Sequence, residues 1–418
     1  MRDLLQNGTF VRLFAGRVST DCGDSLYYIA TMWLLWELTH SPVYTAIGGA
    51  LIRLPDLLSV FVGPLVDRWP LRSILLWSQG VNCVGVLIIP VVALSGQQPV
   101  WLILTVIPVL YTVNGFVYPA QTASLPRIVS EDALTRANSL FSTSLRTVDA
   151  IANAVGGLLI GIIGPIGLYL IDAGTFVIAA ICFRGIAISD GEPIRNSSRS
   201  IDSYSTALRD GVSYVRGSTL LVLLGGLAMS NLGAAAVSVI LPAYASTVGG
   251  PVAYGVFVGA IGLGGILGAA GASVLDSHSL GTLAIGSTIA NGALLLVAVG
   301  VSELTPTALL LFASSLPGGA FTVIFTTMVQ SVVAEQLLGR VSALIRSCLS
   351  GVAPLGSLLG GIVAGQFSPP TALYGVGVLS IAIGCFFFAH PGIRRLPPVN
   401  RCEKRTLGLQ AVADTEGG

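Results

Sequence analysis

The sequence predicts an all-α membrane protein with twelve transmembrane helices, arranged as two parallel six-helix pseudo-repeats. Three observations predict it. Charged residues are 10% of the 418-residue chain and apolar residues 53%, against roughly 25% charged in an average soluble domain. Apolar runs of about 18 residues or more recur along the whole chain, each long enough to cross a bilayer. One constant shift carries Glu131-Asp132-Ala133-Leu134-Thr135-Arg136 onto Glu335-Gln336-Leu337-Leu338-Gly339-Arg340, and also matches Leu140 with Leu344, Leu145 with Leu349, Gly156-Gly157 with Gly360-Gly361 and Gly161 with Gly365. An even number of spans in each half inserts both halves with the same orientation.

Apolar runs set against proline, turn and charge signals place the spans at 12–36, 43–66, 73–95, 100–124, 138–163, 167–188, 219–246, 252–275, 280–301, 305–332, 341–366 and 371–390. Pro108 and Pro119 are expected to bend the fourth. The longest connection follows the sixth, so the chain divides into an N-terminal half (1–188), a cytoplasmic linker (189–218), a C-terminal half (219–394) and a cytoplasmic tail (395–418). All of the 21 basic residues except Arg17, Arg53, Arg146 and Arg346 fall on the side that carries the N-terminus. By the positive-inside rule that side is the cytoplasm, and both termini lie in it. The location expected is a bacterial-type plasma (inner) membrane.

The first span holds charges where lipid tails should be. Arg17, Thr20, Asp21, Asp24, Tyr27, Tyr28 and Thr31 recur at three- and four-residue steps and form one polar stripe. A lone charge at the bilayer centre costs roughly 2.5–3.5 kcal/mol on the most lenient scale, so the stripe should face the bundle interior or a water-filled cavity. Counted at 1.5 Å per residue from the outer ends of their helices, Asp24 and Asp56 lie about 20 Å deep and Arg53 about 15 Å. These depths predict an Asp24, Arg53, Asp56 cluster in which Arg53 holds one carboxylate ionised and the other takes a proton. Arg146 and Asp149 can pair along the fifth span, and Asp172 is a further isolated carboxylate. Each has a structural reading beside the functional one, because a buried ion pair also fixes helix packing.

The fourth span carries Tyr111, Asn114, Gly115, Tyr118, Gln121 and Thr122 in a second stripe. With Tyr27 and Tyr28 it is expected to line a cavity for an amphipathic organic molecule. Asn231, Tyr244, Phe321, Phe325 and Gln330 are the corresponding candidates in the second half.

Other chemistries find little support. The single lysine is Lys404, so no phosphate loop of the Walker type can be built. The glycines of 259–268 have no strand before them and no ribose-binding acid after them, so they read as helix-packing residues. The histidines His40, His278 and His390 fall at span ends, and the six cysteines are scattered without a CxxC pair. No catalytic constellation, metal site, cofactor or nucleic-acid partner is expected.

The loop after the second span, Gly63-Pro64-Leu65-Val66-Asp67-Arg68-Trp69-Pro70-Leu71-Arg72, resembles the Gly-x-x-x-Asp-Arg-x-x-x-Arg signature of the major facilitator superfamily. Asn7-Gly8-Thr9-Phe10-Val11-Arg12-Leu13, Gly23-Asp24 and Thr39-His40-Ser41-Pro42 resemble its macrolide-efflux and siderophore-export branch. The resemblance spans residues 7–390. It implies a twelve-helix alternating-access carrier in which Gly63, Asp67, Arg68 and Arg72 form a cytoplasmic latch between the halves. The branch's antiporter motif is incomplete, since Asn153-Ala154-Val155-Gly156-Gly157 lacks its proline.

The expectation is a secondary exporter of an amphipathic small molecule, drug, macrolide-like or siderophore-like, driven by proton antiport. A gradient-driven importer or uniporter and a non-transporting receptor or scaffold are the alternatives.

Overall fold

The computed structural model describes residues 4, 6–66, 69–186 and 209–409; within these, the side chains of 56–66, 146, 150, 154 and 335 are outside the description. The described chain is built on twelve long helices. They are α1 (Gly8–Thr39), α2 (Pro42–Val66), α3 (Leu71–Ala93), α4 (Val100–Ser124), α5 and α6 (131–163 and 165–184 of the run Glu131–Arg184), α7 (Thr219–Val248), α8 (Gly250–Ala270), α9 (Leu280–Val301), α10 (Leu304–Val332), α11 (Glu335–Gln366) and α12 (Pro369–Ala389). Among the described residues, nine stretches meet a strict length and hydropathy criterion for crossing a membrane.

Local chemistry sets the helix ends. The Asn7 side chain accepts from the Thr9 and Phe10 amides, both at 3.1 Å, and so caps the start of α1. Ser218, Ser279 and Ser368 cap α7, α9 and α12 in the same manner. Gly164 has φ +71°, where a side chain would be strained, and Pro165 follows it; together they break the run into α5 and α6. The expected span boundaries hold within a few residues, except that α5 and α11 begin at Glu131 and Glu335 rather than near 138 and 341. Hydropathy marks where lipid starts, and these two helices continue past it as polar turns.

Among the described residues, the close crossings between the two halves lie at one end. Because successive helices alternate in direction, the starts of α2 and α8 and the finishes of α5 and α11 all lie at the end opposite the termini. There α5 crosses α8 so closely that a Cβ on Gly157 would stand 1.8 Å from the Gly255 Cα, and one on Gly161 2.8 Å from Val252. On the other side α11 crosses α2, where a Cβ on Gly361 would stand 2.1 Å from the Ala46 Cβ and one on Gly365 3.0 Å from Val43. The repeated glycine pairs of the sequence are thus the two small-residue seams between the halves. Thr45 Oγ1 of α2 also donates to the Val239 carbonyl of α7 at 2.8 Å, and Trp33 of α1 stacks on Tyr254 of α8 with centroids 6.1 Å apart.

The apolar core follows the same division. One cluster joins both halves at the seam end, from Trp33, Ala46 and Tyr169 across to Val239, Tyr254 and Leu373. At the end carrying the termini, each half has a cluster of its own: Phe10, Leu13, Leu71 and Phe183 in one, Tyr214, Leu280, Val341 and Phe387 in the other. The bundle is therefore closed at the seam end and split at the basic end.

Most of the expected linker lies outside the described residues. Its last part, 209–215, is helical and docks on the second half, with Asp210 paired to Arg340 at 2.8 Å and Val215 fully buried. The described part of the tail also packs there, through Leu396 and Leu407.

Candidate substrate cavity and buried charge network

Among the described residues, three of the four carboxylates Asp21, Asp24, Asp149 and Asp172 are held by polar side chains rather than by arginines. Asp24 of α1 accepts from Asn114 Nδ2 of α4 at 2.9 Å, and Asn114 in turn accepts from Asn82 of α3. Asp149 of α5 accepts from Ser25 of α1 at 2.8 Å and from Asn153, one turn on, at 2.8 Å. Asp172 of α6 is fully buried; one oxygen lies 3.3 Å from the Thr175 hydroxyl, and the other has no partner. Gly23 makes the room for it, because a Cβ there would stand 2.3 Å from Asp172 Oδ1.

Of these four, Asp21 alone has a cation among the described residues. Arg17 reaches it through Nε at 2.8 Å, donates to Gln121 Oε1 at 2.8 Å and lies over the Tyr118 ring at 5.6 Å. Apart from Tyr28, the stripe on α1 therefore faces α3, α4 and α6, inside its own half. Above it Tyr27 packs between Tyr111 and Tyr169, at centroid distances of 6.1 and 5.5 Å.

This corrects the expected Asp24, Arg53, Asp56 cluster. Depth along a helix was counted properly, but depth does not fix azimuth: Asp24 turns to α4, and no basic group among the described residues lies within 4 Å of it. The side chain of Asp56 is outside the description, as is that of Arg146, so their pairing with Arg53 and Asp149 stays an expectation. Of the latch residues, Gly63 sits near the end of α2, and Asp67 and Arg68 lie outside the described residues. Arg72 donates to the Arg184 carbonyl at 2.6 Å, capping the last turn of α6 in its own half.

A 450 Å³ cavity lies among α7 to α12, with Tyr28 of α1 as the one described residue of the first half in its lining. Tyr28 and Asn231 line it as expected, and so does Phe321. Phe325 instead packs in the core of the second half, Tyr244 stacks on Phe257, and Gln330 is exposed outside it. Tyr118 and Gln121 line a separate 170 Å³ cavity with Arg17, nearer the basic end. Tyr27, Tyr111 and Asn114 belong to the buried network and touch neither cavity.

The sequence reading passed over Ser287, Thr288 and Asn291 of α9 and Ser314, Ser315 and Thr322 of α10, which line the main cavity. Their three- and four-residue spacing was the available signal, hidden because serine and threonine are ordinary in membrane helices. Among the described residues, no aspartate, glutamate, lysine, arginine or histidine lines this cavity.

A helical bundle of two six-helix halves, sealed at one end around a central cavity, is the architecture of a membrane transporter of the major facilitator type. The chain belongs to the transmembrane secretion effector family, whose profile matches residues 4–407. It is similar to the multidrug efflux pump Tap of Mycobacterium tuberculosis, 24% identical over 410 residues that cover 95% of this chain and 96% of Tap. Macrolide efflux protein A of Streptococcus pyogenes is 26% identical over 228 residues, 53% of this chain and 55% of that one.

Two solved structures share the fold. The nucleoside transporter NupG superposes with a TM-score of 0.71 at 11% identity, covering 91% of this chain and 98% of its own. A bacterial homologue of the iron transporter ferroportin, in an inward-facing state, gives 0.71 at 15% identity and covers 93% and 100%.

Proposed function

We propose that this transporter exports an amphipathic small molecule by alternating access, in exchange for protons. The observation that carries the reading is the 450 Å³ cavity, apolar and hydroxyl-lined, walled by α7 to α12 with Tyr28 of α1 and lying beside a half that buries Asp21 and Asp172. With the basic end in the cytoplasm, the arrangement is the inward-facing one, ready to take substrate from the cytoplasm or the inner leaflet. The names of the relatives, a multidrug pump and a macrolide exporter, support an organic cargo of this kind.

Coupling is assigned to the network around α1. Asp24 has one neutral donor, Asn114, and no cation, so a proton changes the charge of a site already poorly solvated. Protonation from outside favours release of substrate there, and loss of the proton to the cytoplasm resets the carrier. Arg17 pairs with Asp21 beside it.

In an export-deficient bacterial host loaded with macrolides or lipophilic dyes, the wild-type protein is expected to lower cell-associated compound. An equally expressed Asp24→Asn protein should not. Export undiminished in the variant would remove Asp24 from the coupling mechanism; no export by the wild type would contradict the proposed direction.

A further inference from the structure

Six of the seven hydroxyls that α7, α9 and α10 give to the cavity share one chemical property; the seventh, Ser230, has no partner among the described residues. Ser287 and Thr288 donate their hydroxyl protons to the Ala284 carbonyl, at 3.2 and 2.9 Å. Ser314 and Ser315 both donate to the Leu311 carbonyl, at 2.8 and 3.1 Å, and Thr322 donates to Gly318 at 2.9 Å. On α7, Ser238 donates to Ala235 at 2.7 Å. A hydroxyl has one proton and two lone pairs, so each of these side chains has spent its donor on its own helix and faces the cavity as an acceptor.

The amides agree. Asn291 Nδ2 donates to the Ser314 carbonyl at 3.1 Å, and Asn231 Nδ2 donates to the Leu349 carbonyl of α11. Neither amide oxygen has a protein donor among the described residues. Among the described residues, no cation lines the space to answer these acceptors, and no carboxylate lines it to hold an ion by charge alone.

We infer that this cavity selects amphiphiles that carry N–H or O–H donors, amines and hydroxylated compounds, over molecules of the same size and charge whose donors are alkylated. The inference rests on the export reading of the cavity as the substrate site. A ligand without donors expels water from the acceptors and gives nothing back, and leaving a buried polar group unpaired costs more than a formed hydrogen bond gains. A donor-bearing ligand replaces the water bonds and keeps the apolar contact with Leu295, Leu311 and Phe321.

Two dyes isolate the effect. Rhodamine 6G and tetramethylrhodamine ethyl ester share a xanthene core, an ester and one positive charge; the first has two N–H donors and the second has none. Fluorescence polarisation with the purified transporter in lipid nanodiscs should show rhodamine 6G bound about tenfold more tightly, the worth of one good buried donor–acceptor pair. Thr288→Val and Ser315→Ala, which keep the cavity's shape, should each weaken rhodamine 6G roughly threefold or more. They should leave the tetramethyl dye unchanged, which also verifies that the variants are folded. Equal affinities in the wild type, or a preference that survives both substitutions, would overturn the acceptor wall and leave the export reading standing. Failure of both dyes to bind would count against both readings.

Discussion

Gly157→Val is expected to abolish transport, by more than about tenfold, while the protein still inserts and folds. The Cβ would stand 1.8 Å from the Gly255 Cα and 2.6 Å from its amide nitrogen, and nothing on either side is a flexible side chain that can move aside. The helix backbones of α5 and α8 must separate. Because α5 and α8 belong to different halves, the separation opens the sealed end rather than the interior of one half, and the equilibrium moves away from the conformation described here.

Ser357 reports this directly, since it is fully buried on α11 behind the seam, beside Gly49 and Val239. With the six native cysteines replaced, Ser357→Cys should be shielded from a membrane-impermeant maleimide added outside. Adding Gly157→Val should speed labelling roughly tenfold, which corresponds to a shift of about 1.4 kcal/mol in the population. Gly361→Val, whose Cβ meets the Ala46 Cβ at 2.1 Å, should behave alike from the other seam. An unchanged labelling rate in both would mean that the seams do not hold the end closed.

Arg17→Leu should destabilise the protein by about 3–5 kcal/mol, the usual cost of removing one partner from a buried ion pair. The Arg17 and Asp21 side chains are 13% and 4% exposed, and Arg17 also holds Gln121 and covers Tyr118. The loss comes mainly from the Asp21 carboxylate left without a cation. Adding Asp21→Asn should therefore restore most of the stability, in a double-mutant cycle read by thermal unfolding in detergent. A double variant no more stable than Arg17→Leu alone would assign the cost to the contacts with Gln121 and Tyr118 instead.

The architecture was legible because its causes are repetitive. Scarce charge, bilayer-length apolar runs and a constant internal shift point to twelve helices in two halves, and the shift even paired Gly157 with Gly361 before either had a partner. Their meaning was not legible: a glycine pair becomes a seam only when another helix crosses it. The stripe on α1 was placed on the correct face, yet its partners were misread, since spacing along one helix gives height and not the neighbour that it meets. Asp24 finds Asn114, a residue already singled out on α4, in place of Arg53. The hydroxyls of α9 and α10 were missed for the opposite reason, being too common in membrane helices to stand out until three helices bring them around one cavity.

The central claim is that export is driven by protons through the network around Asp24, and vesicles of known polarity test it most directly. Inside-out proteoliposomes with an acidified lumen should accumulate rhodamine 6G beyond protein-free vesicles, and collapsing the gradient should release it. Asp24→Asn proteoliposomes should exchange dye across the membrane yet fail to accumulate it. Accumulation by the variant equal to the wild type, or accumulation by the wild type without a pH gradient, would contradict the account.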